Sequence, residues 1–348
     1  MPDSDADSAT PRSSSRRQLI AWLHLHEDKL WWLYSLYSLL LGIGIMWLGK
    51  RNFSYLRLVV FHISFIWLSS LFLPKVLDLP RLPAQWKPRV RLLVNFFNKN
   101  LYQQMLFFVL PIYYASATLG SRNIFFVMLI AFSATLSTID VIYDRHLAVK
   151  RGLTAAFFAF NLFALINVML PILWSISNTL TTRVSAALAF LGFLSLYYPT
   201  SPSKVRRMTF TLATALFIFA LVEFGRSFIP PAPLRLASAE FGENFEKASL
   251  RVISPLTELH PAAPLRLYGL TSIKAPLGLR ERVRHRWYEN GKLIFSSPFY
   301  NMVGGRAEGF RLWTSISFKT LAPGAKLRLD LETEGGQLIG RAELKTAR

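Results

Sequence analysis

Seven stretches of the chain are long, apolar and almost free of charge, and all of them end before residue 230. They occupy 31–48, 56–73, 101–119, 124–142, 153–174, 184–198 and 209–229. A hydrocarbon layer about 30 Å thick is crossed by about 20 apolar residues in a helix. Backbone groups in lipid have no water to bond, so runs of this length select helices that satisfy their own amides. Each run therefore reads as a membrane span, the segment 184–198 being the weakest because it is short and closed by Pro199. Pro111 and Pro171 fall inside or near the ends of spans and predict kinks. The last run meets Pro230-Pro231-Ala232-Pro233 at once, and beyond it the pattern changes.

From residue 248 the hydrophobic period becomes two. Strands are expected over 249–253, 265–273, 282–289, 292–297, 310–318, 326–333 and 337–344. Asn290-Gly291 is a strong two-residue hairpin signal and Gly335-Gly336 marks a second. Residues 326–332 alternate cleanly, with Leu327, Leu329 and Leu331 on one face and Lys326, Arg328 and Asp330 on the other. The expected fold is an all-α membrane domain, a seven-helix bundle, followed by an all-β domain of immunoglobulin-like β-sandwich type. The organisation is a tail at 1–30 with a surface helix at 18–26, the membrane domain at 31–229, a proline-rich linker at 230–247 and the β-sandwich at 248–348. The chain has no cysteine, so the sandwich core must rest on Trp287, Trp313, Tyr268 and aliphatic residues.

The formal net charge is +20, yet charged residues are only 17% of the chain. Lys and Arg cluster in the short loops between apolar runs, as membrane orientation requires, so nucleic acid is not an expected partner. The cytoplasmic side would hold Arg16, Arg17, Lys87, Arg145, Lys150, Lys204, Arg206 and Arg207 among others, and the opposite side far fewer. With seven crossings the N-terminus is cytoplasmic and the β domain lies outside.

The run His285-Arg286-Trp287-Tyr288-Glu289-Asn290-Gly291-Lys292 resembles a bacterial family catalogued as domain of unknown function 2914. So do Gly309-Phe310-Arg311-Leu312-Trp313-Thr314-Ser315, Pro323-Gly324, Arg328-Leu329-Asp330-Leu331, Gly335 and Gly340. Leu327 departs from the pattern, where an aromatic is expected. The membrane part resembles a family catalogued as domain of unknown function 5924. The resemblance implies a bacterial envelope location and no established activity; His285, Trp287, Tyr288, Gly291 and Trp313 are its motif residues, with structural roles expected.

Ionisable groups within spans are costly and often functional. Those at hand are His62, the Asp140/Asp144 pair one turn apart, and Glu223, which Arg226 follows at i+3. Asp140 and Asp144 are expected to be neutralised by Arg145 and Lys150, and Glu223 by Arg226. Asn161 and Asn167 read as interhelical hydrogen bonders. In the β domain Arg280, Arg282, Arg284 and Arg286 form a period-two basic stripe, opposite His285 and Trp287. No nucleophile, metal or phosphate-loop pattern is present, so neither an enzyme, a metal nor a cofactor is expected. The reading is a bacterial inner-membrane protein, embedded in membrane lipid, that presents a periplasmic β-sandwich as a binding module. Its partner would be an envelope protein or an anionic envelope polymer. The alternative is a transporter or channel using His62 and Asp140/Asp144.

Overall fold

The computed structural model describes residues 105–138, 149–199, 201–260, 265–319, 321–322 and 324–346. The runs 31–48 and 56–73, the surface helix at 18–26, His62, Asp140 and Asp144 lie outside the described residues.

Among the described residues there are five helices: α1 (Met105–Ser116), α2 (Ile124–Thr138), α3 (Arg151–Trp174), α4 (Asn178–Leu196) and α5 (Lys204–Phe224). Three of them, α3, α4 and α5, are long and apolar enough to cross a membrane. The seven-helix bundle is thus not supported. The described parts of α1 and α2 are shorter apolar helices, of 10–17 residues. The α1–α2 connection holds Gly120 at φ 78° and a turn in which the Asn123 carboxamide accepts from Thr118 N–H at 3.1 Å.

Helix α4 begins six residues before its expected start. Ser177 caps it by accepting from Leu180 N–H at 3.4 Å. Its first turns look polar, but Thr182 and Ser185 turn their hydroxyls back onto the carbonyls of Asn178 and Thr181 at 2.7 and 2.8 Å. Helix α3 packs closely on α4 at Gly192, where a Cβ would come within 2.7 Å of Leu162 and 2.9 Å of Phe158. Between α1, α3 and α4 runs a buried polar chain. Thr182 Oγ1 lies 3.2 Å from Asn167 Oδ1, Asn167 Nδ2 donates to Tyr113 at 3.0 Å, and Tyr113 donates to Ala164 O at 3.0 Å. In α5, by contrast, Val222 is the one buried residue.

The β domain contains all seven expected strands and four more. In chain order they are β1 (Arg235–Gly242), β2 (Asn244–Glu246), β3 (Arg251–Ile253), β4 (Glu258–Leu259), β5 (Leu265–Lys274), β6 (Arg280–Glu289), β7 (Lys292–Ser296), β8 (Tyr300–Val303), β9 (Phe310–Phe318), β10 (Lys326–Thr333) and β11 (Leu338–Thr346). One sheet has the order β1-β5-β9, a second has β4-β11-β10-β6-β7 with β8 also paired to β6, and β2 and β3 pair as a separate hairpin. Phe241, Leu267 and Ile316 of the first sheet meet Trp287, Leu327 and Leu329 of the second, so the two sheets form a sandwich around one apolar layer. A second cluster with Ile273, Val283, Leu312 and Leu331 continues that layer toward the helices.

The segment 230–247 is not a linker. Ile229 to Leu234 are buried, and β1 with β2 occupies the rest. The sandwich instead stands end-on against the helix ends. Asn178 N–H, at the start of α4, donates to Glu281 Oε2 at 2.7 Å, and Asn178 Nδ2 donates to Pro231 O at 3.3 Å. Gln337 Nε2 donates to Ile229 O at 3.0 Å, Asn123 Nδ2 to Leu338 O at 3.1 Å, and the Ser175 hydroxyl to Leu277 O at 3.2 Å. The prolines are buried because this seam closes over them, which a free spacer would leave in water.

Candidate functional site

Alternation along β6 sends Glu281, Val283, His285 and Trp287 inward and Arg280, Arg282, Arg284 and Arg286 outward, as the period predicts. The stripe is not a free row of cations. Arg282 pairs with Glu334 at 2.5 Å, and Arg284 and Arg286 share Glu332 at 3.3 and 3.1 Å. Next to them Arg341 holds Asp330 in a two-pronged contact at 2.7 and 3.0 Å, and Arg328 lies 3.3 Å from the same carboxylate. Two rings carry the guanidinium planes. Phe299 lies under Arg282 and Arg284 at 5.3 and 4.8 Å, and Tyr288 under Arg286 and Arg328 at 5.4 and 4.0 Å. Stacking on an aromatic face fixes each plane at little entropic cost and leaves its outward N–H groups available. With Arg280, which has no ion pair among the described residues, six arginines face Asp330, Glu332, Glu334 and the Glu343 that is paired across strands with Arg328. The surface keeps a positive excess, held in a fixed array.

On the inner face of β6 the motif residues are structural. His285 and Trp287 are fully buried. The polar atoms there close a single chain of hydrogen bonds. Trp287 Nε1–H donates to Thr314 Oγ1 at 2.8 Å, and Thr314 and Thr271 flank the imidazole at Nδ1 and Nε2, at 2.9 and 2.8 Å. Thr271 reaches Leu312 O at 3.5 Å. The order that satisfies every donor assigns the neutral ring with its proton on Nε2: Thr314 donates to Nδ1, and Nε2–H donates to Thr271. A second proton on Nδ1 would displace the Thr314 hydroxyl proton with no acceptor to receive it. Burial accordingly pushes the His285 pKa down to about 3. Trp287 seals the chain against β5, where a Cβ on Gly269 would come within 2.6 Å of its ring.

Tyr288 is on the outer face, as expected, but under arginines rather than open to a ligand. Asn290 and Gly291 have φ of 49° and 85°, the two positive values that a tight hairpin turn of type I′ demands. Trp313 and Tyr268 are corrections. They point away from the core, on the outer face of the smaller sheet, where Phe245 from the β2–β3 hairpin lies across both at 4.8 and 5.6 Å between ring centres. Arg266 covers Tyr268 at 5.3 Å and Lys247 covers Trp313 at 5.9 Å. Leu327 is a fully buried core position, which explains the aliphatic residue there.

Glu223 bridges Arg183 at 3.1 Å and Arg226 at 2.6 Å, half-exposed at the end of α5. Of the two asparagines of α3, Asn167 joins the polar chain above, while both carboxamide atoms of Asn161 are buried without a partner among the described residues. Glu281 escaped the sequence reading. It is inward by parity but lies at the helix seam, and burial there raises its pKa against the opposing effect of the Asn178 N–H. The one signal was an acid at an inward position between the first two arginines of the stripe.

The pattern described as "Protein of unknown function (DUF2914)" matches residues 280–345. That described as "Family of unknown function (DUF5924)" matches residues 13–287. No curated protein matches the chain. The two matches overlap within β6, so the sandwich is built jointly: β1 and β5 come from the first region, β9 to β11 from the second. With most of its length covered by one pattern, the chain belongs to the family of unknown function DUF5924.

Proposed function

We propose that the protein is a bacterial inner-membrane protein whose β-sandwich binds an anionic polymer of the envelope through the arginine face of β6. The observation that carries this reading is the outward row of Arg280, Arg282, Arg284 and Arg286, the last three held over Phe299 and Tyr288. Strand β6 leaves the helix seam at Glu281 and ends at the Asn290-Gly291 turn. At about 3.3 Å per residue the four arginines extend over about 20 Å. That exceeds the depth of one headgroup layer, about 6 Å, so the array suits a linear polyanion better than a lipid surface. A periplasmic placement is supported by charge. Lys150, Arg151, Lys204, Arg206 and Arg207 lie at the helix ends away from the sandwich, against Arg122, Arg183 and Arg226 at the ends next to it.

The test uses full-length protein in detergent, with isolated envelope fraction and dextran sulfate as probes, across a salt series. Replacing the four arginines by alanine is expected to abolish retention at about 0.15 M salt and to flatten the salt dependence. Unchanged retention by the envelope fraction overturns the proposal. A reporter fused after Arg348 reads the side of the sandwich, and a cytoplasmic signal overturns the placement.

A further inference from the structure

Where α4 ends and α5 begins, away from the sandwich, the helices leave an open groove of about 570 Å³. Tyr198, Lys204 and Arg207 stand at its rim, and Met208, Leu212 and Ala215 continue along its wall. On α5 these positions repeat at three- and four-residue steps, so they share one helix face. That face passes from two cations to an apolar wall over 11 residues, or about 17 Å at the helical rise. Half the hydrocarbon thickness of a bilayer is about 15 Å. Among the described residues neither Lys204 nor Arg207 has a carboxylate partner. Helix α5 is otherwise bare, with Val222 its one buried residue.

We propose that this groove is a binding site for one anionic phospholipid. Its phosphate is held by Lys204 and Arg207 with the Tyr198 hydroxyl beside them, and one acyl chain lies along Met208, Leu212 and Ala215. The occupant is a lipid rather than a free anion because the charged end forms less than half of the lining. It is an anionic lipid rather than a zwitterionic one because two cations converge with no carboxylate partner among the described residues, and a choline headgroup would bring a third. The site is independent of the arginine face of β6 and of which side of the membrane the groove faces.

Native mass spectrometry of the full-length protein in detergent tests it, with dioleoylphosphatidylglycerol and dioleoylphosphatidylcholine as probes. The glycerol lipid is expected to be retained one per chain in preference to the choline lipid. Each cation near an anionic headgroup contributes about fivefold, so Lys204→Gln with Arg207→Gln should weaken retention about thirtyfold. Ala215→Phe, which fills the apolar end and leaves both charges, should weaken it as well. Arg206→Gln, in the same turn but off the groove, should leave it unchanged. Equal retention of the two lipids, an equal loss in the Arg206 variant, or full retention in the Ala215 variant overturns the site. So does displacement of the lipid by millimolar inorganic phosphate, or a lipid-free dimer that the groove variants dissociate.

Discussion

Lowering the pH should destabilise the β domain through one residue, His285. Its pKa falls from 6.5 in the unfolded chain to about 3 in the fold. Between those values the unfolded state binds the proton and the native state does not. Stability is therefore full above pH 6.5 and is lost as the pH falls toward 3. Each unit corresponds to about 1.4 kcal/mol, so the loss is about 2 kcal/mol at pH 5 and about 5 kcal/mol at and below pH 3. The physical origin is the closed chain through Trp287, Thr314, His285 and Thr271, which has room for one imidazole proton. Denaturant unfolding of the full-length protein in detergent, read by near-ultraviolet circular dichroism between pH 7.5 and 5, measures the slope. His285→Gln should cost about 1–3 kcal/mol at neutral pH through the altered packing and hydrogen bonds. It should also remove about 2 kcal/mol of the difference between pH 7 and 5. Equal slopes in the two proteins, or an imidazole resonance of His285 that titrates near 6.5, would refute the reasoning.

Glu281 carries the opposite sign. Burial raises its pKa at the seam, so docking of the sandwich on α4 is favoured as the pH falls through that raised value and weakened above it. Glu281→Gln should flatten this dependence in the hydrogen-exchange protection of the Asn178 amide, which donates to the carboxylate. Gly269→Ala places a methyl against the Trp287 ring; overpacking of this kind costs about 1–3 kcal/mol in denaturant unfolding. Glu332→Gln frees two arginines from their shared counter-charge, and dextran sulfate should then be retained to higher salt than by the wild type.

Period and punctuation made most of the β domain readable. Phe310–Phe318 and Lys326–Thr333 were placed to the residue because Leu312, Thr314 and Ile316 in one, and Leu327, Leu329 and Leu331 in the other, are buried at every second position. Strand β1 was hidden for a physical reason. Its register shifts between Leu236 and Ser238, which breaks the alternation, and prolines precede it. Strand β8 is a four-residue edge with Met302 as its one buried side chain, too short to show a period. Trp313 was misassigned because size argued for the core, although Leu312 and Thr314 on either side already fixed it outward. The hairpin residue that covers it, Phe245, lies 68 positions earlier in the chain. The arginine stripe was legible by parity, but its neutralising partners were not. Glu332 and Glu334 lie 46 to 52 residues from the arginines they pair with, and the pairing register of β6 with β10 is set by the closed sandwich. Of the seven apolar runs, three appear among the described residues as helices long and apolar enough to cross a membrane.

The same strand, β6, explains why the two family matches meet where they do. Its outward residues form the arginine face and most of its inward ones pack against β5 and β1, strands that come from the other match. Residues 280–345 alone would leave Trp287 uncovered on the side of Phe241 and Gly269. A Trp side chain removes about 150–250 Å² from water, which at about 25 cal/mol per Å² is about 4–6 kcal/mol, comparable to the whole stability of a small domain. The strands that carry the second match are therefore held by the first. The first inward residue of β6, Glu281, leaves the sandwich core and meets α4. A load on the arginine face thus acts on a strand whose foot is a hydrogen bond to the start of a membrane-length helix. That makes β6 one link between the outer face of the sandwich and the helices, and the Asn178–Glu281 contact one of the seam hydrogen bonds, beside those of Asn123, Ser175 and Gln337.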